Sequence, residues 1–181
     1  MTWICCRQRA GPLVKECRAI RPRLSADDTA ADRAAKKDVR CAVNRRQTDR
    51  LELRLALFGW YGEHYTLTFD DEHLPRSFKD ARRVLRNFLR RAHRWREQAS
   101  GSPALRYIYA VEGLHGDHRY HIHFVCDGRE LAPAEVRYLW QGGEVHDEPV
   151  LLGKGGYRRL AEYLTKERTD GIVIPDRKSV V

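Results

Sequence analysis

The sequence predicts an α+β fold, in which a central antiparallel sheet has helices packed against it. After residue 44, segments with helix and strand patterns follow in the order α-β-α-β-β-α-β-α. Glycines separate the two strands that follow each other directly, which is typical of a hairpin. Mixed strands and helices around a central hairpin favour an antiparallel sheet over a parallel one.

Composition divides the chain into three parts. Residues 1–43 are rich in Arg, Ala and Asp and poor in large apolar residues, so they are interpreted as a basic N-terminal extension with a helix over 26–38. The patterned part, 44–168, is the predicted domain. Residues 169–181 are interpreted as a C-terminal tail.

The first half of the domain begins with an Arg-rich helix over 44–57. Residues 64–69 are aromatic and β-branched, which predicts a strand. Ser77 then caps a long helix, in which apolar residues recur at spacings of three and four. This apolar stripe consists of Phe78, Ala81, Val84, Leu85, Phe88, Leu89, Ala92 and Trp95.

The second half supplies the remaining strands and helices. Residues 105–111 and 120–126 are predicted to form the hairpin, and Pro133 begins a short helix that ends at Trp140. A fourth strand is predicted over 143–151 and a last helix over 155–167. This order makes the split ferredoxin-like arrangement the nearest common architecture.

The charge favours a polyanionic partner. The chain carries 34 Lys and Arg against 25 Asp and Glu, a formal net charge of +9. Arg86 and Arg90 lie on the polar side of the long helix, which could bind single-stranded DNA electrostatically; a merely solubilising face is the alternative. No segment is apolar enough to span a membrane and no signal peptide is evident, so no membrane association and a cytoplasmic location are expected.

His121-Ile122-His123 is the strongest local signal. Side chains alternate along a strand, so both imidazoles point to the same face, about 7 Å apart. A hairpin turn centred on 115–118 places Glu112 directly opposite His121, whereas a register slip of one residue would move it to the other face. These residues predict a divalent metal site with nitrogen and oxygen ligands, which alone does not fix the metal.

The last helix contains a candidate nucleophile. Tyr157, Leu160, Ala161 and Leu164 form its apolar stripe, so Tyr157 is interpreted as a core residue. Tyr163 lies at the border of the stripe, within one turn of Arg159 and Lys166. Nearby cations favour a phenolate, which is the nucleophilic form. From this helix alone, an ordinary amphipathic helix would be the better interpretation.

Three motifs occur in one recognisable order. Thr66-Leu67-Thr68-Phe69 comes first, then Glu112 with His121-Ile122-His123, then Tyr163-Leu164-Thr165-Lys166; Trp140-Gln141-Gly142-Gly143 lies between the last two. Over about residues 44–168 the chain resembles HUH-type rolling-circle replication initiators of phages and plasmids.

The resemblance implies an HUH endonuclease fold, related to ferredoxin-like and RRM folds, and a single catalytic tyrosine. His121, His123 and Glu112 would bind Mg²⁺ or Mn²⁺, and Tyr163 would nick origin DNA through a covalent 5′-phosphotyrosine. Lys166 would position the phosphate, and Thr68 would have a structural or DNA-positioning role. The sequence has no phosphate-binding helicase loop, so a host helicase and polymerase are the expected partners.

Two alternatives stay open at the level of sequence. A single-tyrosine HUH transposase would use the same chemistry, and a basic nucleic-acid-binding protein could carry the motifs without activity. A plasmid relaxase is disfavoured, because its tyrosine typically precedes the histidines, whereas Tyr163 follows them.

Overall fold

A computed structural model describes most of the chain. It covers residues 3–20, 45–113, 119–150 and 156–166, and the side chains of all of these except 3–6, 17–20 and 166. The helix predicted over 26–38 and the predicted C-terminal tail lie outside the described residues.

The order of helices and strands from residue 45 onwards is the predicted one. The described elements are β1 (Trp3–Ala10), β2 (Leu13–Ile20), α1 (45–56), β3 (Gly62–Thr68), α2 (Phe78–Ser100), β4 (Tyr107–Glu112), β5 (His121–Asp127), α3 (Pro133–Leu139), β6 (Val145–Pro149) and α4 (Gly156–Lys166). A short 3-10 turn, Gly59–Tyr61, leads into β3.

The central sheet has four strands in the order β4-β5-β3-β6, and each neighbouring pair is antiparallel. With α2 between β3 and β4 and α3 between β5 and β6, this is the split ferredoxin-like arrangement. The predicted α+β class and the antiparallel sheet are therefore confirmed, and the architecture is compatible with an HUH fold.

The two faces of the sheet bury different helices. On one, here called the α2 face, strand residues such as Leu67, Ile122 and Phe124 pack against α2 and α3. On the opposite face, here called the α4 face, Ile108 and Val125 pack against α1 and α4. Because side chains alternate along strands, Glu112, His121 and His123 all lie on the α4 face.

Local signals fix the N-terminal end of α2. The Ser77 hydroxyl accepts a hydrogen bond from the backbone N–H of Asp80 at 3.2 Å and donates one to its carboxylate at 2.7 Å. This confirms the predicted N-cap. No helix among the described residues is long and apolar enough to cross a lipid bilayer.

A two-stranded hairpin, β1–β2, precedes the domain and was not among the sequence predictions. Its strands are joined by the two-residue turn Gly11-Pro12, and Ala10 packs into the core of the α4 face. Lys15 forms ion pairs of 2.7 Å with both Asp49 and Glu52 of α1. Part of the predicted N-terminal extension therefore packs against the domain.

Gly11→Ala is expected to destabilise the protein strongly. Gly11 has φ +53°, and a Cβ there would lie 2.2 Å from the backbone carbonyl oxygen of Ala56. Backbone strain and the steric clash together predict a loss of about 2–5 kcal/mol in the free energy of unfolding, measured by urea denaturation.

Gly101→Ala is the matched control for this variant. Gly101 also has a positive φ, +70°, but no described atom would lie within 4 Å of its Cβ. Strain alone then predicts about 1–2 kcal/mol. Equal losses in the two variants would show that the hairpin does not dock on α1.

Candidate metal and nucleophile site

The β4–β5 pairing places three candidate ligands together. Glu112 lies directly opposite His121, which is the predicted register. His123 follows two residues later, on the same face of β5. The three side chains offer ligand atoms that all lie within 4.8 Å of one another, so this group could hold a metal ion.

The Glu112 carboxylate is the centre of the group. Its Oε2 lies 3.1 Å from His121 Nε2 and 3.2 Å from His123 Nε2. Burial acts to raise the pKa of Glu112, but hydrogen bonding to the two imidazoles outweighs it and holds the pKa at about 2. Its Oε1 is buried and has no hydrogen-bond partner in the part of the chain that the structure describes.

The surroundings of His121 point to a cation. Its Nδ1 lies 3.1 Å from the backbone carbonyl oxygen of Arg119, which can only accept a hydrogen bond. A neutral imidazole therefore carries its proton on Nδ1 and turns the Nε2 lone pair towards the ionised Glu112 carboxylate. A divalent ion between these two acceptors would replace their repulsion with two coordinate bonds.

The separations fit a six-coordinate ion. In an octahedron with bonds of about 2.1 Å, adjacent ligand atoms lie about 3.0 Å apart. The distances of 3.1 and 3.2 Å from Glu112 Oε2 to the two imidazoles are close to that value. The donor set also combines oxygen with imidazole nitrogen, which suits several divalent metals.

Tyr163 lies at the edge of this group. Its hydroxyl oxygen is 3.5 Å from His123 Nε2, and the residue is 49% exposed. Tyr157, the other tyrosine of α4, is 1% exposed and donates a hydrogen bond of 2.8 Å to the carbonyl of Gly59. Of these two phenols, the structure brings only Tyr163 next to the candidate ligands.

Ion pairs and packing hold α4 in place on this face. Ala161 and Leu164 are buried in its core. Arg158 pairs with Asp49 of α1 at 2.5 Å and with Glu162 at 2.7 Å. The helix that carries Tyr163 is thus tied to α1, and through Asp49 to Lys15 of the hairpin.

Two of the sequence motifs meet at the end of β3. Trp140 Nε1 donates a hydrogen bond of 3.0 Å to the carbonyl of Thr68, and the Thr68 hydroxyl donates one of 3.1 Å to the carbonyl of Glu144. Gly143 permits the close approach, because a Cβ there would lie 2.7 Å from the Thr68 carbonyl oxygen. Thr68 in turn pairs with His121 across β3 and β5.

Two cavities flank the candidate ligands. One, of about 520 Å³, is lined by His123, Tyr163 and Arg159, the last being a residue predicted to bind nucleic acid. The other, of about 450 Å³, is lined by His121, Thr68 and Arg119. Substrate can therefore approach the group from both sides.

The remaining predicted site residues lie elsewhere or outside the described side chains. Arg86 and Arg90 are exposed on α2, which covers the α2 face, so they do not border the candidate ligands. The side chain of Lys166 lies outside the described part of the chain, although its backbone ends α4.

His64 is a residue of the site that the motifs did not include. It is 5% exposed on β3, where Nε2 contacts His123 Nδ1 at 3.0 Å and Nδ1 contacts Glu148 Oε1 at 2.9 Å. Burial lowers the pKa of His64, although Glu148 acts in the opposite direction. Strand alternation puts His64 on the same face as Thr66, which was the available signal in the sequence.

Comparison with known proteins identifies a family. The family model described as Replication-associated protein ORF2 matches residues 63–168, more than half of the chain. The matched segment contains the candidate metal ligands and Tyr163. No curated protein and no solved structure matches the chain significantly.

Proposed function

Because this chain belongs to the Replication-associated protein ORF2 family, we propose that it starts rolling-circle replication by nicking single-stranded origin DNA. One observation carries the proposal: the Tyr163 hydroxyl lies 3.5 Å from His123 Nε2, at the edge of the group of three candidate ligands. A nucleophile and a metal that act on the same phosphate are what covalent nicking requires.

Tyr163 is the proposed nucleophile. Its hydroxyl oxygen bonds to the scissile phosphorus while the bond from phosphorus to the 3′ oxygen breaks. The phenol loses its proton and the 3′ oxygen gains one, so the products are a 5′-phosphotyrosine and a free 3′-OH. The covalent bond retains the energy needed for the reverse attack, which rejoins strands and gives the protein a strand-transfer activity.

Glu112, His121 and His123 are the proposed metal ligands. The buried carboxylate, with its unpartnered Oε1, and the facing imidazole lone pair support this assignment. Mg²⁺ or Mn²⁺ bound there supplies Lewis-acid polarisation of a phosphoryl oxygen.

Cations next to Tyr163 would bind the flanking phosphates. Arg159 lies one turn before Tyr163 on α4 and lines the same cavity. We assign Lys166 the same role, from its position one turn after Tyr163 in the sequence. The free 3′-OH and the displaced strand would then need a polymerase and a helicase from the host.

A nicking assay tests the proposal directly. The purified chain is incubated with Mn²⁺ and single-stranded oligonucleotides from the origin of its own element, and the products are separated under denaturing conditions. A protein–oligonucleotide adduct that maps to Tyr163 by mass spectrometry is expected. A chain that binds these oligonucleotides but never cleaves them would be a non-catalytic nucleic-acid-binding protein.

The exposed cations of α2 are proposed to bind DNA outside the catalytic group. They form a ridge along one side of the helix, here called the α2 ridge: Lys79, Arg82, Arg83, Arg86, Arg90 and Arg94. The one carboxylate between residues 79 and 94, Asp80, already pairs with Arg83 at 3.0 Å. Residues four apart on a helix rise by about 6 Å, comparable to the phosphate spacing of a DNA strand.

The double variant Arg86→Ala/Arg90→Ala is expected to weaken DNA binding without changing its sequence preference. If both residues contact phosphates, the slope of log Kd against log salt decreases by about 1.4 for single strands, measured by fluorescence anisotropy. Arg7→Ala/Arg9→Ala removes the same charge from β1 and is the control. An equal effect of the two double variants would assign the loss to net charge and reject the α2 ridge.

A further inference from the structure

We propose that His64 is a positioning residue that fixes the tautomer of His123 and so presents its Nε2 lone pair to a metal. The inference concerns the arrangement Glu148–His64–His123, which crosses three strands of the sheet. It rests on the proposed function in one respect, namely that His123 is a metal ligand.

The three side chains form a continuous chain of hydrogen bonds. His64 lies directly opposite Glu148 in the β3–β6 pairing, and it is a diagonal neighbour of His123 across β3 and β5. The contacts are 2.9 Å from Glu148 Oε1 to His64 Nδ1 and 3.0 Å from His64 Nε2 to His123 Nδ1. The two imidazole rings are stacked, with centroids 5.2 Å apart.

The acceptor at one end sets the direction of every bond. A carboxylate only accepts hydrogen bonds, so His64 donates from Nδ1–H to Glu148. A neutral His64 then has a lone pair on Nε2, which accepts the proton of His123 Nδ1–H. The Nε2 of His123 is therefore left unprotonated, and it is this atom that faces Glu112 Oε2 at 3.2 Å.

His121 reaches the same tautomer by a different route. Its Nδ1–H donates to the carbonyl of Arg119, a neutral acceptor that the backbone supplies. At the position of His123 the acceptor is a side chain, which the sequence had to provide separately. Both imidazoles thus direct Nε2 towards the same carboxylate oxygen.

The chain of hydrogen bonds ends at the protein surface. The His64 side chain is 6% exposed, whereas that of Glu148 is 73% exposed. A buried histidine whose two ring nitrogens are both committed has little freedom to rotate or to change tautomer. Orienting partners of this kind typically change metal affinity by about 10–100-fold when they are lost.

Two substitutions of His64 distinguish positioning from packing. His64→Gln keeps an oxygen that can accept the proton of His123 Nδ1–H, whereas His64→Leu fills the space and offers no acceptor. Mn²⁺ binding to each DNA-free protein is measured by electron paramagnetic resonance of the free ion. Long-range ¹H–¹⁵N correlation of the His123 ring reports its tautomer, and thermal unfolding without metal reports stability.

We expect a Mn²⁺ Kd about 10–100-fold weaker for His64→Leu, with affinity largely restored in His64→Gln. The His123 ring should be an Nδ1–H tautomer in the wild type and in His64→Gln, and a mixture of tautomers in His64→Leu. Unchanged affinity and tautomer in His64→Leu would overturn the proposal. Equal losses of affinity in both variants, in step with unfolding temperature, would assign His64 a packing role and overturn it as well.

The wild-type measurement separates this inference from the proposed function. If the wild type binds no Mn²⁺, both the metal assignment of the proposed function and the role of His64 are wrong. If the wild type binds Mn²⁺ and His64→Leu binds it equally tightly, the metal assignment stands and only the role of His64 is rejected.

Discussion

Tyr163→Phe is expected to abolish the covalent protein–DNA adduct while leaving DNA binding nearly intact. The substitution removes only the hydroxyl oxygen that lies 3.5 Å from His123 Nε2. Removal of a covalent nucleophile lowers turnover by a factor on the order of 10⁴ or more. Loss of one hydrogen bond to DNA changes Kd by less than about tenfold. Adduct formation is measured on denaturing gels and Kd by anisotropy.

Tyr138→Phe is the matched control. Tyr138 is 70% exposed on α3, which covers the opposite face of the sheet, so its hydroxyl is distant from the candidate ligands. Full activity is expected. If Tyr163→Phe still forms adducts, another nucleophile must act; Tyr157 would first have to leave the core and its bond to the Gly59 carbonyl.

Local patterns were sufficient to predict much of the fold and the core of the candidate site. The alternation of Tyr107, Tyr109 and Val111 along β4 predicted which of its faces packs against α2, and the turn length then placed Glu112 opposite His121. Helical periodicity likewise separated the buried Tyr157 from the exposed Tyr163. These predictions depend on neighbours along one strand, one hairpin or one helix, for which sequence spacing determines geometry.

Features that depend on pairing between distant segments could not be predicted in the same way. His64 meets His123 only because β3 lies between β5 and β6, and no local pattern specifies that sheet order. The same holds for α2, whose cations were expected near the DNA path but lie behind the opposite face. The hairpin was missed for a different reason: its charged residues hide the two β-rich runs that flank Gly11.

His121→Ala is expected to remove metal-dependent nicking. His121 is the most exposed of the three candidate ligands, with 25% of its side chain accessible against 3% for His123 and 5% for Glu112. Its removal should therefore perturb the core least. Loss of Lewis-acid polarisation, which contributes several kcal/mol, predicts nicking slower by about 10²–10⁴-fold and weaker Mn²⁺ binding.

His146→Ala is the control for loss of an exposed imidazole. His146 lies on β6 with a side chain 70% accessible and pairs only loosely with Glu144, at 3.6 Å, so wild-type nicking is expected. A chelator should reduce the wild type to the level of His121→Ala and should not slow that variant further, because both treatments remove the same ion. Nicking that persists in the wild type with excess chelator would contradict the metal assignment, and Tyr163 would then have to act on a phosphate polarised by protein cations alone.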